Sequence, residues 1–154
     1  MTKTVIRPAR SDDIPTVVEI VRCAFAPYVP RIGRNPAPMQ QDYAELCDNG
    51  HLWVSEHDGE IGGMLVCFPK HDAYFVETVA VDTGQQGRGL GRLLMQHAET
   101  LAAELNRRSI SLYTNAAMTE NIAFYDRLGY SITERRNEDG FERIYFAKAI
   151  DAPR

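Results

Sequence analysis

The stretch Val79-Ala80-Val81-Asp82-Thr83-Gly84-Gln85-Gln86-Gly87-Arg88-Gly89-Leu90-Gly91-Arg92-Leu93-Leu94 decides the fold. A β-branched apolar run stops at Asp82, a loop rich in glycine and glutamine follows, and from Leu90 the apolar residues recur at helical spacing. This is a strand, a loop and a helix start. Gly87, Gly89 and Gly91 fall within five residues, and such crowding lets the backbone come close to a ligand while its N–H groups face outward at a positive helix end. A site of this kind suits an anion, and a phosphate best of all. The order is neither the full G-x-G-x-x-G of a dinucleotide fold nor a P-loop, because no Gly-Lys-Ser/Thr follows.

Outward from that stretch, the chain alternates strands and helices. Residues 4–7 read as a strand. Ser11 reads as the N-cap of a helix with an apolar stripe of Ile14, Val17, Val18, Val21 and Phe25. Residues 26–38, with four prolines and two arginines, read as a long loop, and Pro38 as the opening of a second helix through Met39, Tyr43, Leu46 and Cys47. Strands are expected over 51–57, 60–68 and 73–81, the first two joined at Asp58-Gly59. Gly62-Gly63 inside the second of these marks a bulge or a close backbone approach. The helix after the glycine loop carries Leu90, Leu93, Leu94, His97, Ala98, Leu101 and Leu105, with Arg107 and Arg108 at its negative end. A strand over 109–113, a helix over 121–128 ended by Gly129, and two strands over 130–138 and 141–150 joined at Asp139-Gly140 complete the chain.

Gln86-Gly87-Arg88-Gly89-Leu90-Gly91 matches the Q/R-x-x-G-x-G/A signature of the GCN5-related N-acetyltransferases, and the strand ending Val79-Ala80-Val81 precedes it as in that family. Asn121-Ile122-Ala123-Phe124-Tyr125-Asp126-Arg127-Leu128-Gly129-Tyr130 is similar to the family's second motif, one residue tighter before the aromatic pair. The sequence therefore resembles this family over residues 4–148. The resemblance implies a mixed α/β fold ordered strand, helix, helix, three strands, helix, strand, helix, two strands, with a mostly antiparallel sheet and a splayed parallel pair formed by the fourth and fifth strands.

The resemblance also implies chemistry: transfer of an acetyl group from acetyl-CoA directly to a primary amine of a small molecule or peptide. Backbone amides from Gln86 through Gly87, Arg88, Gly89, Leu90 and Gly91 to Arg92 would cradle the coenzyme A pyrophosphate, with Arg88 or Arg92 adding charge unless they are simply solvated. Val79, Ala80 and Val81 would pair with the pantetheine arm, one N–H polarising the thioester carbonyl. Tyr125 is the candidate general acid, or else an aromatic packing between helix and sheet. Asn121 either caps the last helix or holds the pantetheine arm. Glu77 is the candidate base, against an ammonium anchor or a plain salt bridge, with Asp42, Tyr43, Tyr28 and His71 as rivals. The first helices and the 26–38 loop would cover the acceptor, so Tyr28, Arg31, Asp42, Tyr43 and Glu77 are the candidate substrate-binding residues. The alternative is a non-catalytic acyl-CoA-binding sensor or complex subunit.

Composition sets the outer bounds. A chain of 154 residues is read as one domain over 1–154, able to bury roughly two-thirds of its unfolded surface. A net charge of −4 argues against a nucleic-acid partner. No apolar run is long enough for a membrane span, and Met1-Thr2-Lys3-Thr4 has no signal-peptide core behind it, which gives the expectation of a cytoplasmic protein. Cys23, Cys47 and Cys67 are odd in number and far apart, so they read as buried free thiols, not as a disulfide framework, a metal site or a nucleophile. The four histidines show no metal-ligand spacing. Many relatives pair, so a homodimer is among the states the resemblance allows.

Overall fold

The computed structural model describes residues 3–150; Met1 and Thr2, part of the N-terminal reading, and residues 151–154 lie outside them. The elements are β1 (Val5–Pro8), α1 (Ile14–Phe25), α2 (Tyr43–Asp48), β2 (Leu52–His57), β3 (Glu60–Lys70), β4 (Ala73–Val81), α3 (Leu90–Glu104), β5 (Ser109–Asn115), α4 (Thr119–Arg127), β6 (Ser131–Glu138) and β7 (Phe141–Ala149). Their order is the expected one. Seven strands hydrogen-bond in the order β1-β2-β3-β4-β5-β7-β6. β4 and β5 run parallel, with Tyr74, Phe75 and Val76 opposite Ile110, Ser111 and Leu112, as a strand-helix-strand crossover requires.

The chain falls into two compact units, one up to Cys67 together with Thr78–His97, the other Phe68–Glu77 with Ala98 onward. In the first, α1 buries Val17, Ile20, Val21 and Phe25, and Leu52, Val54 and Met64 to Cys67 are core residues of the same unit. Val17, Val21 and Phe25 are buried as expected, while Val18 stays 48% exposed and Ile20 is buried instead. Ser11 does not cap α1. A 3-10 turn, Ser11–Asp13, comes first, and Asp13 is the organising side chain: it accepts from the Arg10 N–H at 2.8 Å and from Arg7 Nη1 at 2.8 Å. The guanidinium of Arg7 thereby holds the Asp13 carboxyl below its ordinary pKa.

The predicted loop over 26–38 is largely helical. A 3-10 turn, Ala26–Tyr28, leads into one α-turn, Val29–Ile32, closed by Gly33 at φ +85°. Pro27 and Pro30 each fall in a first turn, where a missing N–H costs nothing, and so do not break the run. Pro38 does not open α2; it lies in a separate 3-10 turn, Ala37–Gln40. α2 begins after Asp42, whose carboxylate accepts from the Glu45 N–H at 3.1 Å.

Gly62 is the extra residue of a bulge, since Ser55 pairs Gly63 while Glu56 pairs Ile61. The close approach is real as well. A Cβ on Gly62 would lie 2.5 Å from Gln85 Oε1, and one on Gly63 would lie 2.9 Å from Leu94 Cδ1 and 3.2 Å from the Ala80 carbonyl oxygen. These two glycines therefore let the glycine loop and the start of α3 settle directly on β3. α3 buries Leu90, Leu94, Met95, Ala98 and Ala102 while Leu93 and Leu105 are exposed. Leu90, Leu94 and Ala98 are buried as expected, with Met95 and Ala102 added.

In the second unit, α4 packs on the face of the sheet that carries Phe146, through Tyr125 at 5.6 Å between ring centroids. Glu99 of α3 accepts from the Tyr130 hydroxyl at 3.2 Å and pairs with Lys148 Nζ at 3.1 Å. α3 ends at Glu104, and Asn106 at φ +58° turns the chain, so Arg107 lies past the helix and donates to the His71 carbonyl. Both hairpins predicted at Asp-Gly form, with Asp58, Gly59, Asp139 and Gly140 all at positive φ.

Candidate active site

The glycine loop is built in the first unit. β4 ends with the Asp82 N–H on the Gly62 carbonyl at 2.8 Å, and a 3-10 turn, Thr83–Gln85, follows. Gln86 folds back, its Nε2 donating to the Val81 carbonyl at 3.3 Å. Gly87 and Gly89 take left-handed φ values of +85° and +79°. Gly91 does not; it sits in the first turn of α3. The helical ladder opens with the Leu93 N–H on the Gly89 carbonyl at 3.1 Å, so the N–H groups of Leu90, Gly91 and Arg92 precede it without intrahelical acceptors. Neither Gly87 nor Gly89 has any atom within 4 Å of where a Cβ would stand. Packing does not demand these glycines; conformation and open space for an incoming group do.

Val79 and Val81 are half-buried on β4 and Ala80 is buried on its other face. Arg88 and Arg92 are exposed. Arg88 also lines a cleft of about 140 Å³ with Thr4, Ser55, His57, Gly62, Gln85, Leu90 and Leu93. On the first helices, the Arg31 guanidinium lies 5.1 Å over the Tyr28 ring, which brings two of the acceptor candidates together. Asp42 and Tyr43 have structural work: Asp42 caps α2, and Tyr43, 4% exposed, donates to the Pro38 carbonyl at 2.5 Å.

In the second unit, Glu77 is half-buried on β4, with one carboxylate oxygen shielded from solvent. Phe75 and Glu77 alternate onto the same strand face, and Phe75 stacks on Tyr113 at 5.8 Å. The Glu77 charge raises the Tyr113 phenol pKa after the larger effect of burial, while Arg143 opposes it. Tyr125 is 6% exposed and packed by Phe124, Tyr130 and Phe146. Burial pushes its pKa above the ordinary phenol range, so it stays protonated and is a weaker acid than a free phenol. Tyr125 lies on the Phe146 face and Glu77 on the other. Asn121 is not the cap: α4 starts at Thr119, and the Asn121 amide reaches Thr114 Oγ1 at 3.4 Å and Met118 Sδ at 3.5 Å. His71, a rival base, is exposed in the turn after β3.

Tyr113, Tyr145 and Arg143 were not singled out by sequence. Their signal is the alternation on β7, where Phe141, Arg143 and Tyr145 fall at every second position and so on one sheet face; Tyr113 joins them from β5 through the register. Cys67 is buried, whereas Cys23 and Cys47 are only partly so. Cys23 bonds to Glu19, and Cys47 donates to the Ala9 carbonyl at 3.3 Å. The pKa values of both are raised, by the Glu19 bond at Cys23 and by burial at Cys47, the opposite of what a thiolate nucleophile needs. Among the described residues no group of three His, Cys, Asp or Glu could hold a metal, and no helix is long and apolar enough to cross a membrane.

A left-handed glycine loop between a sheet strand and a long helix is also what a family comparison selects: a family model described as Acetyltransferase (GNAT) family matches residues 15–130. The chain belongs to the GNAT acetyltransferase family. Among curated relatives it is 28% identical over 111 residues, 71% of the chain and 70% of the relative, to the peptidyl-lysine N-acetyltransferase YjaB of Salmonella typhimurium. Two other relatives match over 58% and 60% of their own length. Among solved structures, the ribosomal-protein-S18-alanine N-acetyltransferase of Escherichia coli superposes with a TM-score of 0.76 at 21% identity, covering 98% of this chain and 96% of that one. A GNAT acetyltransferase from Elizabethkingia anophelis with acetyl-CoA bound superposes at 0.73 and 19% identity, covering 96% and 98%. Acetyl-CoA is the acyl donor of this family, and the GNAT fold is shared across these structures.

Proposed function

We propose that this GNAT chain works as one catalytic domain that acetylates a primary amine of a small molecule or peptide directly, without an acyl-enzyme. The observation that carries this reading is the pair of left-handed glycines, Gly87 and Gly89, ahead of the first turn of α3 in the loop that follows β4. The residues fit the donor. N–H groups between Gln86 and Arg92 receive the pyrophosphate, open space at Gly87 and Gly89 admits it, and Arg88 and Arg92 stand exposed beside it. Val79, Ala80 and Val81 hold the pantetheine arm and one of their N–H groups polarises the carbonyl, with Asn121 as a further pantetheine contact.

Acetyl-CoA, when bound, supplies a thioester whose acyl carbon is open to attack. Glu77 takes a proton from the acceptor ammonium, which frees the nitrogen lone pair. Attack by that lone pair would form the C–N bond and break the C–S bond, the sulfur leaving with the electron pair and the nitrogen losing its second proton to solvent. Tyr125 donates a hydrogen bond to that sulfur. Its raised pKa makes this neutral hydrogen bond, completed by solvent protonation of the thiolate, easier than outright loss of the phenolic proton. Glu77 and Tyr125 lie on opposite sheet faces, which suits a division of labour between incoming amine and leaving sulfur. Tyr28 and Arg31 belong to the acceptor side in this reading, and so do Asp42 and Tyr43, which shape it through α2.

A cytoplasmic monomer or homodimer accords with the same reading and is checked by light scattering. The test of function is thiol release from acetyl-CoA over a panel of amines. Glu77→Gln and Tyr125→Phe should lower kcat with little change in acetyl-CoA affinity. A protein that binds acetyl-CoA, releases no thiol with any amine and ignores both substitutions would be a sensor instead.

A further inference from the structure

The second unit carries an ordered row of aromatic and charged side chains on the sheet face opposite α4. Phe68 and Phe75 lie 5.6 Å apart, Phe75 and Tyr113 5.8 Å, and Tyr113 and Tyr145 5.4 Å, so four rings from β3, β4, β5 and β7 form a continuous floor. Phe75 and Glu77 share the strand face that carries Tyr113, and the Glu77 charge acts on the Tyr113 phenol. Arg143 stands over the same ring. Its Cζ lies 4.4 Å over the Tyr113 ring and 5.5 Å over Phe141, and its side chain is only 12% exposed. Its charged contacts among the described residues are Glu138 at 3.9 Å and Asp139 at 3.8 Å, both longer than a hydrogen bond. Glu138 is itself engaged by the Tyr145 hydroxyl and lies 3.9 Å from Arg136.

This is an unusual way to hold an arginine. Stacking fixes the plane of the guanidinium, while its N–H fork is not spent on a bidentate carboxylate within the chain. A fixed, planar fork is what recognises a free carboxylate. The nearby acids keep the local charge balanced, so a bare anion or a bare cation gains little, whereas a molecule with both charges meets an acid at one end and a guanidinium at the other. Glu77 and Arg143 sit on strands two apart, roughly 10 Å across the sheet, and are offset along it, since Arg143 pairs with Asn115, two residues beyond Tyr113; the two side chains and one small zwitterion together span that gap.

We infer that Arg143 is the carboxylate anchor of the acceptor site and that the acceptor is a free amino acid, its amine at Glu77 and its carboxylate on the Arg143 fork. This rests on the N-acetyltransferase reading and on Glu77 as the group that faces the amine. Arg143 lies outside residues 15–130, which the family model matches.

The test compares each common L-amino acid with its own carboxamide, by thiol release from acetyl-CoA and by calorimetric binding to the full chain. At least one free acid should exceed its amide in kcat/KM by roughly tenfold or more, the discrimination typical of a lost charge-assisted pair. Arg143→Gln should erase that preference by raising KM for the acid, and Arg143→Lys should restore part of it. Unchanged acetyl-CoA affinity and thermal stability in Arg143→Gln show that the chain still folds. The inference is overturned if no acid is preferred over its amide, or if Arg143→Gln depresses acid and amide equally. Should no acceptor release thiol, calorimetry still decides: an amino acid that binds wild type but not Arg143→Gln supports the anchor and places the failure in the transferase reading, and absence of binding overturns the anchor.

Discussion

Replacement of Gly89 separates what the protein needs from what the ligand needs. The residue sits at φ +79° with no atom within 4 Å of a built Cβ, so alanine there meets no clash and pays only for the left-handed backbone, about 1–2 kcal/mol. Part of that is offset by the stiffer unfolded chain, about 0.4–1 kcal/mol. The net, about 1 kcal/mol, corresponds to a fall of roughly 2–4 °C in Tm for a chain of this size. Asparagine tolerates the left-handed region, so Gly89→Asn should melt close to wild type. Acetyl-CoA at a hundred times its Kd stabilises the folded state by about 2.7 kcal/mol by mass action, hence by roughly 5–10 °C. Differential scanning fluorimetry should show that rise for wild type. Both variants should lose most of it, because a side chain now occupies the approach to the first-turn N–H groups. Refutation is simple: if Gly89→Asn keeps the full acetyl-CoA shift, no phosphate comes close to this loop and the glycines serve the turn alone.

Gly63→Ala should destabilise by about 1–3 kcal/mol with no left-handed strain involved, since its Cβ would press on Leu94 and on the Ala80 carbonyl; chemical denaturation with an unchanged m-value checks it. Asp13→Asn should cost about 1–3 kcal/mol, the worth of a hydrogen-bonded charged partner. The pH dependence has a definite sign: the folded-state pKa of Asp13 is depressed, chiefly by Arg7, so its stabilisation is present above the ordinary carboxylate pKa of about 4 and lost as pH falls through the lower folded value. Tm measured from pH 6 downward should therefore fall more steeply for wild type than for Asp13→Asn, and parallel curves would refute the assignment. Asp42→Ala should lower Tm through loss of a cap worth about 1 kcal/mol, whereas Arg31→Ala should raise the acceptor KM while leaving the acetyl-CoA constant alone; the reverse pattern in steady-state kinetics would place the acceptor elsewhere.

The elements that proved legible are those whose signals are local. The Asp-Gly hairpins need two adjacent left-handed residues, and the sequence spells them. The glycine loop declares itself because left-handed positions at Gly87 and Gly89 tolerate little else, and Gly129 ends α4 for the same reason. What escaped reading depends on partners far along the chain. Pro27, Pro30 and Pro38 look like loop residues until one sees that each falls in a first turn, where its missing N–H is harmless. The acid that orders the chain before α1 is Asp13 and not Ser11, because Arg7 on β1 is there to hold it. In α3, Met95 and Ala102 are buried where Leu93 and Leu105 were expected.

The largest omission has the same cause. Tyr113, Arg143 and Tyr145 stand on strands that adjoin in space although 30 residues separate Tyr113 from Arg143 along the chain. Neither motif of the family reaches Arg143, and no composition rule singles out one arginine among its charged neighbours in Glu142-Arg143. Only the antiparallel register, Tyr113 opposite Tyr145 and Asn115 opposite Arg143, stacks guanidinium on phenol and turns an ordinary surface charge into a fixed one. The donor side of an acetyltransferase is written in contiguous glycines because every member binds the same phosphates. Its acceptor side is assembled from single residues of separate strands, and so substrate choice in this chain should be sought in the Glu77, Tyr113 and Arg143 row before the longer but locally satisfied segment that holds Asp42 and Tyr43.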